Sequence, residues 1–208
     1  MKSSTTKKTA IRKHLRAIAE ETLRRHGWNV ERVEGAGTSV RKISKGGDSK
    51  TITIRTTQDA HIAFPRTPDN KRWKTLNDVD AVVAASVDDP SNPQFALIHM
   101  LDGDDMRKRF DRAYKARLAA GHTIPNGRGV WLSLYREEGN DPIQLVGAGA
   151  GNAYPPIDRV PMNGAGAAPG AEPHDQPAEA PLTIAEAKRR LAQTLGVDPS
   201  SIKITVEA

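Results

Sequence analysis

Seven side chains in the first sixty residues have the chemistry to hold phosphate: Arg12, Lys13, Arg16, Arg41, Lys42, Arg55 and Gln58. A guanidinium offers a planar fork of N–H donors that matches two phosphate oxygens. An ammonium is a compact point charge, and a glutamine amide adds two neutral donors. Contacts of this kind supply affinity and position rather than base readout. Carboxylates lie among them. Asp48 and Asp59 are the fallback candidates for holding a divalent ion and activating water, with Glu20 and Glu21 upstream. Asp48 follows two glycines, where aspartate is an ordinary turn residue. Asp78 and Asp80 flank an apolar run, as residues that begin a strand after a loop often do.

Other chemistries are excluded by type and spacing. The chain has no cysteine, which removes disulfides and thiolate metal sites. Its six histidines (14, 26, 61, 99, 122 and 174) show no H-x-H or H-x3-H spacing, so no zinc site is expected. His99 lies in an apolar strand and reads as a core histidine; His61 lies close to the basic face. LDGDDM (101–106) lacks the spaced ligands of a calcium loop, and Asp104 and Asp105 read as helix-start residues. GAGAGNAY (147–154) is not followed by the helix that a phosphate loop requires. In GHTIPNGRGVW (121–131), glycine geometry for a tight connection is the stronger reading.

Charge is unevenly distributed. Residues 1–75 hold 18 basic and 7 acidic side chains, and the remainder 13 basic and 18 acidic. A positive half attracts polyanions without any shape match. No run of about 18 apolar residues exists, so no membrane partner is expected. The basic N-terminus lacks an apolar signal core, and a cytoplasmic location is expected. Aromatic residues make up 4% of the chain, which is too few for extensive base stacking.

The elements that position these groups follow from periodicity. Ile11, Leu15, Ile18 and Leu23 recur at helical spacing over about 9–26, with Arg24, Arg25 and Gly27 as a stop signal. The period then changes to two. Trp28 and Val30, then Val40 and Ile43, mark two strands. Lys45-Gly46-Gly47-Asp48 is a hairpin turn. In the following strand Ile52 and Ile54 take one face, and Thr51, Thr53 and Arg55 the other. AHIAF continues as a strand, or as a bend followed by one. DAVVAASV (80–87) and QFALIHML (94–101) read as buried strands. A helix begins near Asp104 and ends at Gly121, and GVWLSLYRE (129–137) is a last strand.

This order (an opening helix, a Gly-rich hairpin, a strand ending IRTTQ, then VDAVVAASVDD leading to an apolar strand and a helix) resembles the restriction-endonuclease-like fold of the PD-(D/E)XK nuclease superfamily over about residues 9–137. The resemblance implies an acid on the second core strand and an acid-x-lysine triplet on the third, binding Mg²⁺. The matching strand here reads Thr53-Ile54-Arg55, and Ser39-Val40-Arg41-Lys42-Ile43 offers no acid. Arginine is a poor proton shuttle and a good phosphate ligand.

The fold expected is α/β (α+β), a central mixed sheet flanked by helices, over residues 1–146. Residues 147–181 contain 22 Gly, Pro or Ala in 35 and read as a disordered linker. Residues 182–208 read as a helix–strand module that docks or oligomerises, because so short a unit does not bury a core. The function expected is non-catalytic nucleic-acid binding or regulation, with no cofactor and no metal. Two alternatives are an active Mg²⁺-dependent nuclease using Asp48 or Asp59, and a protein-interaction or homo-oligomeric module working through residues 182–208.

Overall fold

An unbroken run of helix-compatible residues opens the chain. In the computed structural model, which describes residues 2–125 and 127–162, α1 spans Lys2–Arg25. It begins upstream of the expected start because neither glycine nor proline interrupts Lys2 to Thr9. It ends where expected. Gly27 takes a left-handed φ of 84°, and Trp28 N reaches back to Leu23 O at 3.0 Å, closing the last turn.

The strands follow the two-residue period. They are β1 (Asn29–Arg32), β2 (Val40–Lys45), β3 (Asp48–Thr57), β4 (His61–Pro65), β5 (Ala81–Val87), β6 (Phe95–Asp102), β7 (Gly129–Ser133) and β8 (Asp158–Pro161). Gly46 and Gly47 join β2 to β3 with φ of 57° and 92°. Two consecutive positive values define the type I′ turn that matches strand twist, and Lys45 and Asp48 close the hairpin as its terminal pair.

The main sheet has six strands in the order β1-β2-β3-β5-β6-β8. β3 and β5 run parallel and the other neighbours antiparallel, so the fold is α+β with a mixed sheet. β4 and β7 form a separate antiparallel pair. All seven residues of β5 are buried, because both sides of the sheet are covered. On one side Leu15, Ile18, Ala19 and Leu23 of α1 pack on Ile52, Ile54, Val83 and Ile98. On the other, Met106 and Phe110 of α2 (Gly103–Ala119) pack with Phe64, Trp73, Val82, Ala84 and Leu132. Asp102, rather than Asp104 or Asp105, caps α2, accepting from Asp105 N at 2.8 Å. Asp104 and Asp105 pair with Arg107 and Arg109 at 2.6 and 2.7 Å.

The disordered linker expected over 147–181 is corrected for its first part, since residues 147–162 carry a helix and a strand. Val146, Ala148 and Ala150 are buried, α3 spans Ala150–Ala153, and β8 adds a sixth strand to the sheet edge beside β6. Small residues were needed there for close approach: a Cβ on Gly147 would lie 2.5 Å from Arg109 O, and one on Gly151 2.7 Å from the Tyr135 ring. The rest of that segment, and the module expected over 182–208, lie outside the described residues. Among the described residues no helix is long and apolar enough to cross a membrane.

Candidate nucleic-acid interface

Lys13 and Arg16 stand one turn apart on α1, and the β1–β2 loop passes opposite them. Together they enclose a groove of about 480 Å³ whose lining includes Lys13, Arg16, Glu20, Arg32, Gly37 and Thr38. Among the described residues no carboxylate pairs with Lys13, Arg16 or Arg32. The backbone N–H groups of Gly37 and Thr38 also donate to nothing among those residues. The groove therefore offers three uncompensated cations and open amide donors on one wall, a surface suited to anionic oxygens. Arg32 was missed by sequence reasoning. It is the last residue of β1 and pairs in register with Arg41, so the pleat turns it to the α1 side of the sheet.

Arg41 was expected to bind ligand and does not face outward. Its register partner is Ile52, so it points to the α1 side of the sheet and is 6% exposed. Its Nε and Nη2 donate to Glu20 Oε1 at 2.9 and 2.7 Å. Its Nη1 donates to Thr38 O and Val40 O at 3.0 and 2.7 Å. Arg41 thus ties α1 to the start of β2 and braces the groove wall. Its charge is balanced by Glu20, the one acid in that lining.

The remaining expected residues are dispersed. Arg12 is exposed on α1, and Lys42 is exposed on β2 with its neighbours Arg41 and Ile43 both buried. Arg55 pairs in register with Ala84 and so lies on the α2 side, its guanidinium 4.2 Å from the centroid of the Phe64 ring. Burial, and after it the nearby positive charge of Arg16, brings the Arg55 guanidinium down to about 10. Gln58 lies just past the end of β3 and is half-buried. Thr53, in the place an acid would take, is fully buried with its hydroxyl 3.2 Å from Ser39 Oγ.

The acids do not assemble. Asp48 opens β3 and Asp59 lies two residues past its end, so an extended strand about 30 Å long separates them. Asp59 Oδ1 accepts from the Thr57 hydroxyl at 2.8 Å and from His61 N at 3.3 Å. Asp78 pairs with Arg72 at 2.6 Å, and Asp80 accepts from Thr51 N at 2.7 Å. No group of three His, Asp or Glu side chains among the described residues is placed to hold a metal ion. His99 is the core histidine expected: it is fully buried, with Nδ1 2.8 Å from Tyr154 O and Nε2 2.8 Å from Tyr135 Oη. The Tyr135 hydroxyl in turn meets Ser86 Oγ.

Compared with known proteins, the chain matches no family model, no curated protein and no solved structure.

Proposed function

We propose that this protein binds nucleic acid without cleaving it, holding the phosphate backbone in the groove between α1 and the β1–β2 loop. The observation that carries this reading is the convergence of Lys13, Arg16 and Arg32 on one groove with no carboxylate paired to any of them among the described residues. Unpaired cations lining a concave surface attract a polyanion and release its counterions on binding. Arg12 and Lys42, both exposed, extend the positive surface.

The scaffold is read as restriction-endonuclease-like. A mixed sheet covered by α1 on one side and α2 on the other supports that reading. Thr53 and Arg55 then stand where such a scaffold would carry its acid and lysine. The exchange favours phosphate contact over metal chemistry.

The test is binding of the full chain to a labelled duplex and a labelled single strand across a salt series, with and without Mg²⁺ or Mn²⁺, followed by a gel for cleavage. The expected result is binding that weakens with salt, with a log–log slope of about −3 if three phosphates are neutralised, and intact strands. Metal-dependent cutting, or the lack of any binding at low salt, overturns the proposal.

A further inference from the structure

β2 begins at Val40, opposite Thr53, while β3 continues to Thr57. The last link along this edge is Ile54 N to Ser39 O at 2.8 Å. Beyond it, β2 gives β3 no partner. Two arginines border this gap, Arg16 from the α1 side and Arg55 from the α2 side. Arg16 leaves α1 with its Nη1 3.4 Å from Thr38 O, and Thr38 adjoins Ser39, which is fastened to β3 at Thr53 and Ile54. Arg55 is the next residue along β3.

Arg55 is held but not neutralised. The Phe64 ring lies against its guanidinium and supplies no hydrogen-bond acceptor. Among the described residues Arg55 makes no hydrogen bond and no ion pair. The Nε atoms of Arg16 and of Arg55 are both shielded from water without a partner. A shielded N–H with no acceptor is rare in a native fold and costly. Two of them, on neighbouring like charges, leave this corner short of negative charge. Among the described residues Glu20 is taken by Arg41 and Asp59 by Thr57 and His61, and neither arginine forms an ion pair. The terminal nitrogens of Arg55 are not enclosed as its Nε is, so the guanidinium fork remains open to a ligand.

We propose that Arg16 and Arg55 form a seat for one phosphate group at the open edge of β3, with the two guanidinium forks sharing its oxygens. A tetrahedral dianion or diester suits two planar forks better than a carboxylate, which one fork saturates. The seat rests on the reading of this surface as polyanion-binding, and adds one fixed phosphate position next to the groove. A backbone phosphate and free inorganic phosphate share this chemistry.

The experiment uses the full chain in phosphate-free buffer. Inorganic phosphate is added against chloride at matched ionic strength, and unfolding temperature and ³¹P linewidth are followed. The native chain is expected to gain thermal stability with phosphate, since a ligand that binds only the folded state stabilises it. Arg55→Met and Arg16→Gln are each expected to weaken the apparent phosphate affinity by about tenfold or more. Without phosphate, Arg55→Met is expected to unfold no earlier than the native chain, because methionine covers Phe64 with no orphaned donor. Its lost response then does not reflect misfolding. A native chain indifferent to phosphate, or a response that survives in either variant, overturns the seat. DNA binding measured on the same samples separates the two readings. Phosphate binding that needs both arginines, without DNA binding, keeps the seat and removes the nucleic-acid function. DNA binding without a phosphate response leaves the interface to Lys13 and Arg32 and removes the seat.

Discussion

Replacing Arg41 with alanine tests whether its guanidinium is a brace or a ligand contact. In the native chain its side chain is 7% exposed and that of Glu20 20%. The guanidinium makes four hydrogen bonds, two to Glu20 and two to backbone carbonyls. Arg41→Ala leaves a mostly buried carboxylate without its close partner. Breaking a fully buried pair costs about 3–5 kcal/mol. Two features place Arg41→Ala near the lower end. Glu20 keeps Arg24 Nη2 at 3.7 Å, and Thr38 O keeps the Arg16 contact at 3.4 Å. A loss of about 3 kcal/mol is expected, which corresponds to a fall in Tm of roughly 6–12 °C for a domain of this size. Urea unfolding followed by circular dichroism reads the loss. The double replacement Glu20→Ala, Arg41→Ala should cost less than the sum of the two single ones by about 1–3 kcal/mol. DNA affinity of the folded double variant, in which Glu20 and Arg41 are removed together and the net charge of the groove lining is kept, should remain within about twofold of native, because no phosphate contact is removed. Full stability combined with a large loss of DNA affinity would refute this reasoning and return Arg41 to the binding surface.

Three further outcomes are expected. Lys13→Ala with Arg32→Ala should leave stability nearly unchanged and make the salt dependence of DNA binding shallower by about 2 in log–log slope, measured by fluorescence anisotropy. Burial lowers the His99 pKa below its ordinary 6.5, against the raising effect of its bond to Tyr154 O. The folded state therefore binds fewer protons than the unfolded one between the lowered value and 6.5, so stability should be full above about pH 6.5 and decline as pH falls through that window; urea midpoints across pH report the slope, and His99→Gln should flatten it. Gly103→Ala would place a Cβ 2.6 Å from Asp80 O, and the backbone displacement should cost about 1–3 kcal/mol, read by thermal unfolding.

Much of the architecture is set by local pattern. The helical spacing of Leu15, Ile18 and Leu23, the two-residue alternation around Ile52 and Ile54, and the Gly46-Gly47 turn act between near neighbours. One sequence therefore carries them whatever surrounds it. The apolar run at 81–87 likewise announced a strand covered on both sides. The basic character of the first third of the chain, and the candidacy of Lys13 and Arg16, come from composition and spacing on one helix.

What a charged side chain meets is a different matter, because its partner lies far along the chain. Arg41 and Lys42 are adjacent and alike in sequence, yet one is sequestered by Glu20, twenty-one residues away, and the other is exposed. The pleat sends them to opposite faces, and α1 covers only one. Arg32 enters the groove because it pairs in register with Arg41 and so takes the α1 face. The Gly-rich stretch after 147 carries no periodic signal, but β6 offered an open edge and β8 filled it, with backbone hydrogen bonds that need no particular side chain. The sequence alone determined the elements up to β7 and the sign of the charge. Tertiary structure decided which cations are neutralised and which stay available, since that depends on distances across the fold rather than along the chain.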